Sequence, residues 1–432
     1  MALHPLAAAL NDTLSGEGSR AGFMLSRRGK ELYFPEGGIV AQGQEACGSA
    51  LNATLGIALE DAENPLCLSS IADAVSLPSR AVFSYAPSAG VLALRTAWVA
   101  HQRERNPALR FPVSLPVVTS GLTHALAIAA RLFADEDDEV MLFEPAWDNY
   151  QLLFGSECGA RLRPVPLFHG GSLNVDGLRS ALNAAGNKCI LLLNFPNNPT
   201  GYTPTDAEAR ALAVAVRERA ERGADTVVLV DDAYAGLVYE QGVFRESMAV
   251  LLGDLHERVL VAKIDGASKE EFAWGLRIGF LTFAGKGLTE AGMHALEQKA
   301  AGAVRASVSG SCNLSQHLLL KAFASPEYAA ERRAHAATLE RRYHACVRIL
   351  GERRRHDLFE VLPCNSGYFL CLRLTDGILA DRVRLLLLER FGTGVIALPG
   401  NLLRIAFSAV PEDQIALLFS NIVSACEEAS GT

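Results

Sequence analysis

The sequence predicts an α/β protein with a mostly parallel central sheet, helices on both of its faces, and a smaller α+β domain. Three observations predict it. From about residue 115 to 285, short continuous Val/Ile/Leu runs alternate with helix-like segments, as in a sheet buried on both faces. After residue 310 the texture changes to a long, charge-laced helical stretch followed by short hairpin-like strands. The chain has 432 residues, 50% of them hydrophobic, enough for a large core and more than one domain. We expect a large α/β domain over 60–322 and a small α+β domain built from 1–59 and 323–432.

The elements follow in order. "LPVVTSG" (115–121) reads as a short strand ending in a turn, and "LTHALAIAARLFA" (122–134) as an amphipathic helix. "DEVMLFEP" (138–145) is a strand, and "WDNYQLLF" (147–154) starts the next helix. "ARLRPVPL" (160–167) and "KCILLLNFP" (188–196) are strands on either side of the helical "DGLRSALNAAG" (176–186). Thr205 and Glu208 form a capping box for the helix "DAEARALAVAVRERAERG" (206–223). "DTVVLVDD" (225–232), "RVLVAKID" (258–265) and "LRIGFLTF" (276–283) are strands. "LFEVLPC", "SGYFLCLRL", the helix "ADRVRLLLLERF", "NLLRIAFSAV" and a last helix complete the smaller domain.

Net charge is −8, which argues against nucleic-acid or anionic-membrane partners, since both favour a basic face. No run of about eighteen apolar residues exists to span a bilayer. The first twenty residues lack a basic lead and read as a mature N-terminus, so we expect a cytoplasmic protein. Nine cysteines are scattered singly, mostly in apolar segments, and read as reduced buried thiols. Neither they nor the ten histidines have metal-ligand spacing, so no metal is expected.

In open parallel sheets ligands sit at the carboxyl ends of strands. Ser120-Gly121-Leu122-Thr123 there opens a helix, and its free N–H groups suit a phosphate. Further along come Asn197 and Asn198, then Asp231 and Tyr234, then Lys269, then Arg277 eight residues later. Singly, each has an ordinary reading as a turn, a helix cap or a surface charge. Together they fit pyridoxal 5′-phosphate: a lysine for its aldehyde, a carboxylate for its ring nitrogen, a helix end and an arginine for its phosphate. Trp147, after another strand, offers a flat face to the ring.

"NNPTG" (197–201), "DDAY" (231–234) and "GASKEEFAWGLRIG" (266–279) together resemble class I aminotransferases of pyridoxal-phosphate fold type I, the aspartate and aromatic aminotransferases. The similarity runs in order from Tyr85 to Arg404. It implies that Lys269 bonds the cofactor and that Asp231, three residues before Tyr234, pairs with its ring nitrogen. Asn198 and Tyr234 would face the ring oxygen, and Trp147 would stack on the ring. Gly121, Leu122, Thr123, Ser268 and Arg277 would bind the phosphate. Tyr85 in "YAPSAG" would reach the phosphate of the other subunit of a homodimer with shared active sites. Arg404 would fork onto the substrate α-carboxylate, with Asn198 and Gly38 beside it.

The implied reaction moves an amino group from an L-amino acid to a 2-oxo acid, with 2-oxoglutarate a candidate acceptor, by ping-pong kinetics. Another enzyme of the same fold and cofactor, a β-lyase or amino-acid decarboxylase, is the alternative. Arg305 in "AVRASVSGS" reads equally as a cross-subunit partner for a substrate side-chain carboxylate and as a surface arginine. Phe34, Trp147 and Trp274 read either as aromatic-substrate contacts or as core. His124 reads as a ring contact or a helix-capping residue. "GERRRHD" (351–357) reads as a solvated helix end. Two positions depart from the family pattern. Gly266 stands where many relatives have serine, and Phe272 is bulkier than usual.

Overall fold

The computed structural model describes residues 3–14, 25–33, 37–61, 64–73, 76–352 and 357–430. Phe34 and the basic residues 353–355 lie outside the described residues.

Seven strands form the main sheet: β1 (Val117–Thr119), β2 (Glu139–Glu144), β3 (Arg161–Pro166), β4 (Lys188–Asn194), β5 (Asp225–Asp231), β6 (Val259–Gly266) and β7 (Gly279–Gly285). Their spatial order is β1-β7-β6-β5-β4-β2-β3. Strands β2 to β6 pair in parallel, and β7 runs antiparallel to both β6 and β1. The reversal follows from the connection. Between β6 and β7 lie only two short helical turns, Ala267–Glu270 and Trp274–Leu276, too little for a helix that recrosses the sheet.

Alternate residues of β4 to β6 pack into two cores. Ile190, Leu192, Leu229 and Ile264 face one layer, and Leu191, Leu193, Val228, Val230 and Val261 the other. Helices α1 (Leu92–Arg105), α2 (Leu122–Phe133), α3 (Asp206–Glu221) and α4 (Glu290–Val308) are among those around this sheet. The Thr205–Glu208 capping box at the start of α3 is present on both sides. α5 (Tyr328–Glu352) leads to a second, four-stranded antiparallel sheet. Its strands are β8 (Phe359–Val361), β9 (Phe369–Leu374), β10 (Ile396–Leu398) and β11 (Leu402–Ala406), in the order β8-β9-β11-β10.

Three local readings change. The last strand of the main sheet starts at Gly279, so Arg277 precedes it in a left-handed conformation, φ 52°. The helix after Trp147 is a wide π-type turn, Gln151–Ser156. Five cysteines are buried and Cys364 is half-buried, but Cys47, Cys67 and Cys312 are exposed.

The two sheets meet at Gly201. Its carbonyl accepts the N–H groups of Asn365 and Ser366, both at 2.9 Å, and the Ser366 hydroxyl at 3.0 Å. Its φ is +69°, and a Cβ there would sit 2.0 Å from the Phe369 carbonyl oxygen, so only glycine fits.

Candidate active site

The ends of the strands collect the chemistry. Register aligns Asn194 with Asp231, Asp231 with Ile264, and Gly266 with Gly279, which in turn faces Thr119. Because β7 is reversed, its beginning lies at the edge where the parallel strands finish, and Arg277 therefore arrives on the same side as Asp231 and Lys269. A cavity of about 220 Å³ opens there. Its walls include Thr123, Trp147, Asn198, Asp231, Tyr234, Lys269, Arg277 and Arg404. Surface cavities of about 290 and 500 Å³ exist elsewhere, but their charged residues are exposed or half-buried. Chemistry, not size, selects the smaller one.

Asp231 ends β5 and is 3% exposed. Burial raises its affinity for a proton, opposed by a hydrogen bond from Tyr150 and by the Lys269 charge. The Tyr150 hydroxyl donates to Asp231 Oδ2 at 2.6 Å, and the Ala233 N–H donates to Oδ1 at 3.1 Å. The neighbouring Asp232 points elsewhere. It accepts from Ser247 and pairs with Lys263 at 2.8 Å.

Lys269 follows β6 in the short helix Ala267–Glu270, and its Nζ lies 5.1 Å from the centroid of the Tyr234 ring. Burial lowers the proton affinity of the amine, Asp231 opposes this, and Arg277 adds to it. A lower proton affinity enlarges the unprotonated, nucleophilic share of the amine. Burial also pushes the Tyr234 phenol up.

Arg404 on β11 is 2% exposed. Its Nη1 donates to Asn198 Oδ1 at 3.2 Å, its Nη2 donates to the Thr54 carbonyl at 2.9 Å, and its guanidinium carbon lies 4.4 Å from the Phe369 ring centroid. The Arg404 Nε is buried without a partner. Asn198 is in turn fixed by its N–H, which donates to Asn194 Oδ1 at 2.8 Å. A buried arginine held this way, with a free donor, is built to fork onto a carboxylate.

At the other end of the cavity, α2 begins with Leu122, and both Leu122 and Thr123 line the wall. The Gly121 N–H is already donated to the Thr119 carbonyl at 2.9 Å, so Gly121 provides room rather than a donor. Its φ is +86°, and a Cβ there would lie 2.6 Å from Arg277 Nη2. The Ser268 hydroxyl is buried and has no hydrogen-bond partner. Gly266 explains itself by space. A side chain would meet the Ile278 carbonyl oxygen at 2.5 Å, so a serine does not fit this backbone. An arginine and a helix start in the cavity wall, an orphaned hydroxyl on the residue next to Lys269, and an acid and an amine in the same wall are the donor set that a phosphorylated pyridine aldehyde requires, so the residues fit the expected cofactor.

Other expected residues fall outside the cavity wall. Gly38 caps the short helix Ile39–Glu45, whose first residue lines the cavity. Arg305, in the last turn of α4, is exposed, and Tyr85 is 98% exposed. His124 takes the capping role: its Nδ1 accepts the Ser120 N–H at 3.0 Å. Trp274 packs 5.9 Å from Phe272. Sequence reasoning missed Tyr150, Asn194 and the Thr54 carbonyl. A tyrosine three residues after Trp147 was the one available signal among them.

The profile of the family described as aminotransferase class I and II matches residues 54–422. The chain is 32% identical over 203 residues to a probable N-acetyl-LL-diaminopimelate aminotransferase of Bacillus subtilis, covering 46% of this chain and 47% of the relative. It is 31% identical over 236 residues to a probable N-succinyldiaminopimelate aminotransferase of Mycobacterium tuberculosis, covering 54% of this chain and 55% of the relative. The matched part therefore spans about half the length of these curated relatives. A crystal structure of an aminotransferase from Anaerococcus prevotii superposes with a TM-score of 0.80 at 22% identity, over 93% of this chain and 98% of that one. That likeness establishes the fold.

Proposed function

The chain belongs to the class I and II aminotransferases, and from that premise we propose that it is a pyridoxal-phosphate-dependent aminotransferase of L-amino acids and 2-oxo acids. The observation that carries this reading is a partly buried lysine sharing one cavity with a buried aspartate and a buried, underemployed arginine.

When bound, the cofactor supplies an aldehyde for the amine and a ring that accepts the electron pair left at the substrate Cα. The chain supplies the rest. Arg404 holds the α-carboxylate, and Asn198 orients Arg404. Lys269 Nζ, its proton affinity lowered by burial, takes the Cα proton. Asp231, positioned by Tyr150, keeps a proton on the ring nitrogen. Thr123, Leu122, Ser268 and Arg277 hold the phosphate, and Trp147 covers the ring. Tyr85 and Arg305, exposed here, belong in this reading to the facing active site of a homodimer. Residues 60–322 form the cofactor-binding domain, and 1–59 with 323–432 the smaller one. We place the protein in cytoplasmic amino-acid metabolism; among the described residues no helix is long and apolar enough to cross a membrane.

Transfer is preferred to β-elimination or decarboxylation because the relatives above are named as aminotransferases. The discriminating measurement is stoichiometry without an acceptor. Mixed with an excess of L-amino acid, the enzyme should release one equivalent of 2-oxo acid per site and stop until a second oxo acid is added. Continuous release would identify a lyase or decarboxylase, and no release from any amino acid would remove the reading. Lys269→Ala should release none. If Arg305 serves the partner's site, Arg305→Ala should lower turnover of aspartate and glutamate while sparing neutral amino acids.

A further inference from the structure

Lys269 is followed by two glutamates, and both are buried: Glu270 is 6% exposed and Glu271 is 0% exposed. Neither carboxylate reaches the cavity. Glu271 accepts from His101 Nε2 at 3.1 Å, from Arg105 Nη2 at 3.0 Å and from the Tyr328 hydroxyl. Glu270 pairs with Arg105. Arg105 thus supplies the cation among His101, Glu270 and Glu271, a trio close enough to hold a metal ion.

The partners come from two helices that present whole faces. On α1, Trp98, His101, Gln102 and Arg105 recur at helical spacing on one side. Trp98 and Gln102 donate to Asp265, at 3.0 and 2.9 Å, just before the turn. On α5, Tyr328 reaches Glu271, and one face further along the His335 ring packs 5.1 Å from the Phe272 ring. Phe272 has φ +52°, a left-handed conformation that a bulky residue keeps only when its surroundings impose it. The same α5 continues to Arg342, which donates to the Ser408 and Leu59 carbonyls beside the smaller sheet.

We propose that Glu271 is a positioning residue for Lys269: with His101, Arg105 and Tyr328 it clamps the amine-bearing turn between α1 and α5. This rests on Lys269 being the reacting amine. The strained Phe272 backbone is what the clamp holds, and α5 makes the turn sensitive to the smaller sheet. Titratable groups around Glu271 are His101 and Arg105 from α1 and Tyr328 and Arg332 from α5; those around the amine are Asp231, Tyr234 and Arg277.

The test uses the full chain, stripped of cofactor, as wild type, Tyr328→Phe, Glu271→Gln and the control Thr205→Ala. Each is treated with pyridoxal 5′-phosphate and borohydride across a pH series, and labelling of Lys269 is read against the exposed Lys286 by peptide mass spectrometry. Amide exchange is followed over 267–279. Loosening the clamp admits water to the amine and restores its proton affinity. The pH of half-maximal Lys269 labelling should therefore rise by about half a unit or more, and exchange in the turn should quicken by about tenfold. The control should change neither. Unchanged labelling midpoints and turn exchange, with only a lower melting temperature, would overturn the proposal. Should Glu271→Gln fail to fold, the milder Tyr328→Phe decides. If wild-type Lys269 is not labelled ahead of Lys286, the functional reading fails instead, and the exchange data still decide whether the clamp exists.

Discussion

One hydroxyl, that of Tyr150, opposes the rise in proton affinity that burial imposes on the buried acid of the site, an affinity that stays raised on balance. Tyr150→Phe should let Asp231 keep its proton more readily and weaken cofactor binding by about 1 kcal/mol, the usual worth of one such bond; equilibrium dialysis of the cofactor measures it. Gly266→Ser tests the space argument at the same scale. With a backbone carbonyl 2.5 Å from the new Cβ, it should lower stability by about 1–3 kcal/mol in a denaturant titration rather than improve phosphate binding. Most of the residues lining the cavity were legible because they sit in short motifs directly after buried strands. Asn198, Asp231, Tyr234 and Lys269 have that signature, Arg277 belongs to the same motif as Lys269, and the structure brings all five to one cavity. Tyr150 gave only its spacing from Trp147 as a signal, since a tyrosine in an apolar helical run looks like core. Thr54 contributes only a carbonyl, which no side-chain pattern can announce. Glu270 and Glu271 carry no signal of their burial in the sequence, because their partners lie about 60 to 170 residues away.

Among the elements, alternation of strand and helix carried the fold, and the capping box of α3 was legible to the residue. Thr205→Ala should cost about 1 kcal/mol, seen as a small fall in melting temperature. What the pattern did not show was the direction of β7. An apolar run has no polarity of its own, and only the shortness of the preceding connection sets its sense. The clamp between α1 and α5 makes a pH prediction. Burial alone would raise the Glu271 pKa, but Arg105 and His101 overcome it and hold the group at about 2, against an ordinary value of 4.5. A depressed acid contributes stability that is fully present above its unfolded value and is lost as pH falls through its folded value. Between about pH 4.5 and 2 the protein should therefore lose on the order of 3 kcal/mol from this group. Glu271→Gln should start less stable and show a shallower acid-unfolding slope over that interval.

For the whole molecule, one chain leaves an uncovered run. Phe83, Tyr85 and Leu92 are 85%, 98% and 62% exposed, an unusual concentration of large apolar groups in solvent. Shared sites would explain them, and neither the sequence nor a single chain displays a partner's surface. Complementation measures it. Tyr85→Ala and Lys269→Ala should each be weak or inactive alone, and co-refolded chains should regain activity neither has separately, because one site of the mixed pair is intact. No regain would mean that the sites are not shared.

The seam at Gly201 has a mechanical consequence. Three hydrogen bonds converge on one carbonyl, two from backbone N–H groups and one from the Ser366 hydroxyl, and the Gly201 backbone lies directly against that of Phe369. Sliding there would break all of them together, so the unit around the smaller sheet is left with a pivot. Asn198 lies three residues from that axis, and Arg404 is on the strand beside Phe369. Swinging about the axis would open the far rim of the cavity while hardly changing the 3.2 Å separation of those two side chains. Such a swing would leave the pair proposed to hold a substrate carboxylate at its present spacing.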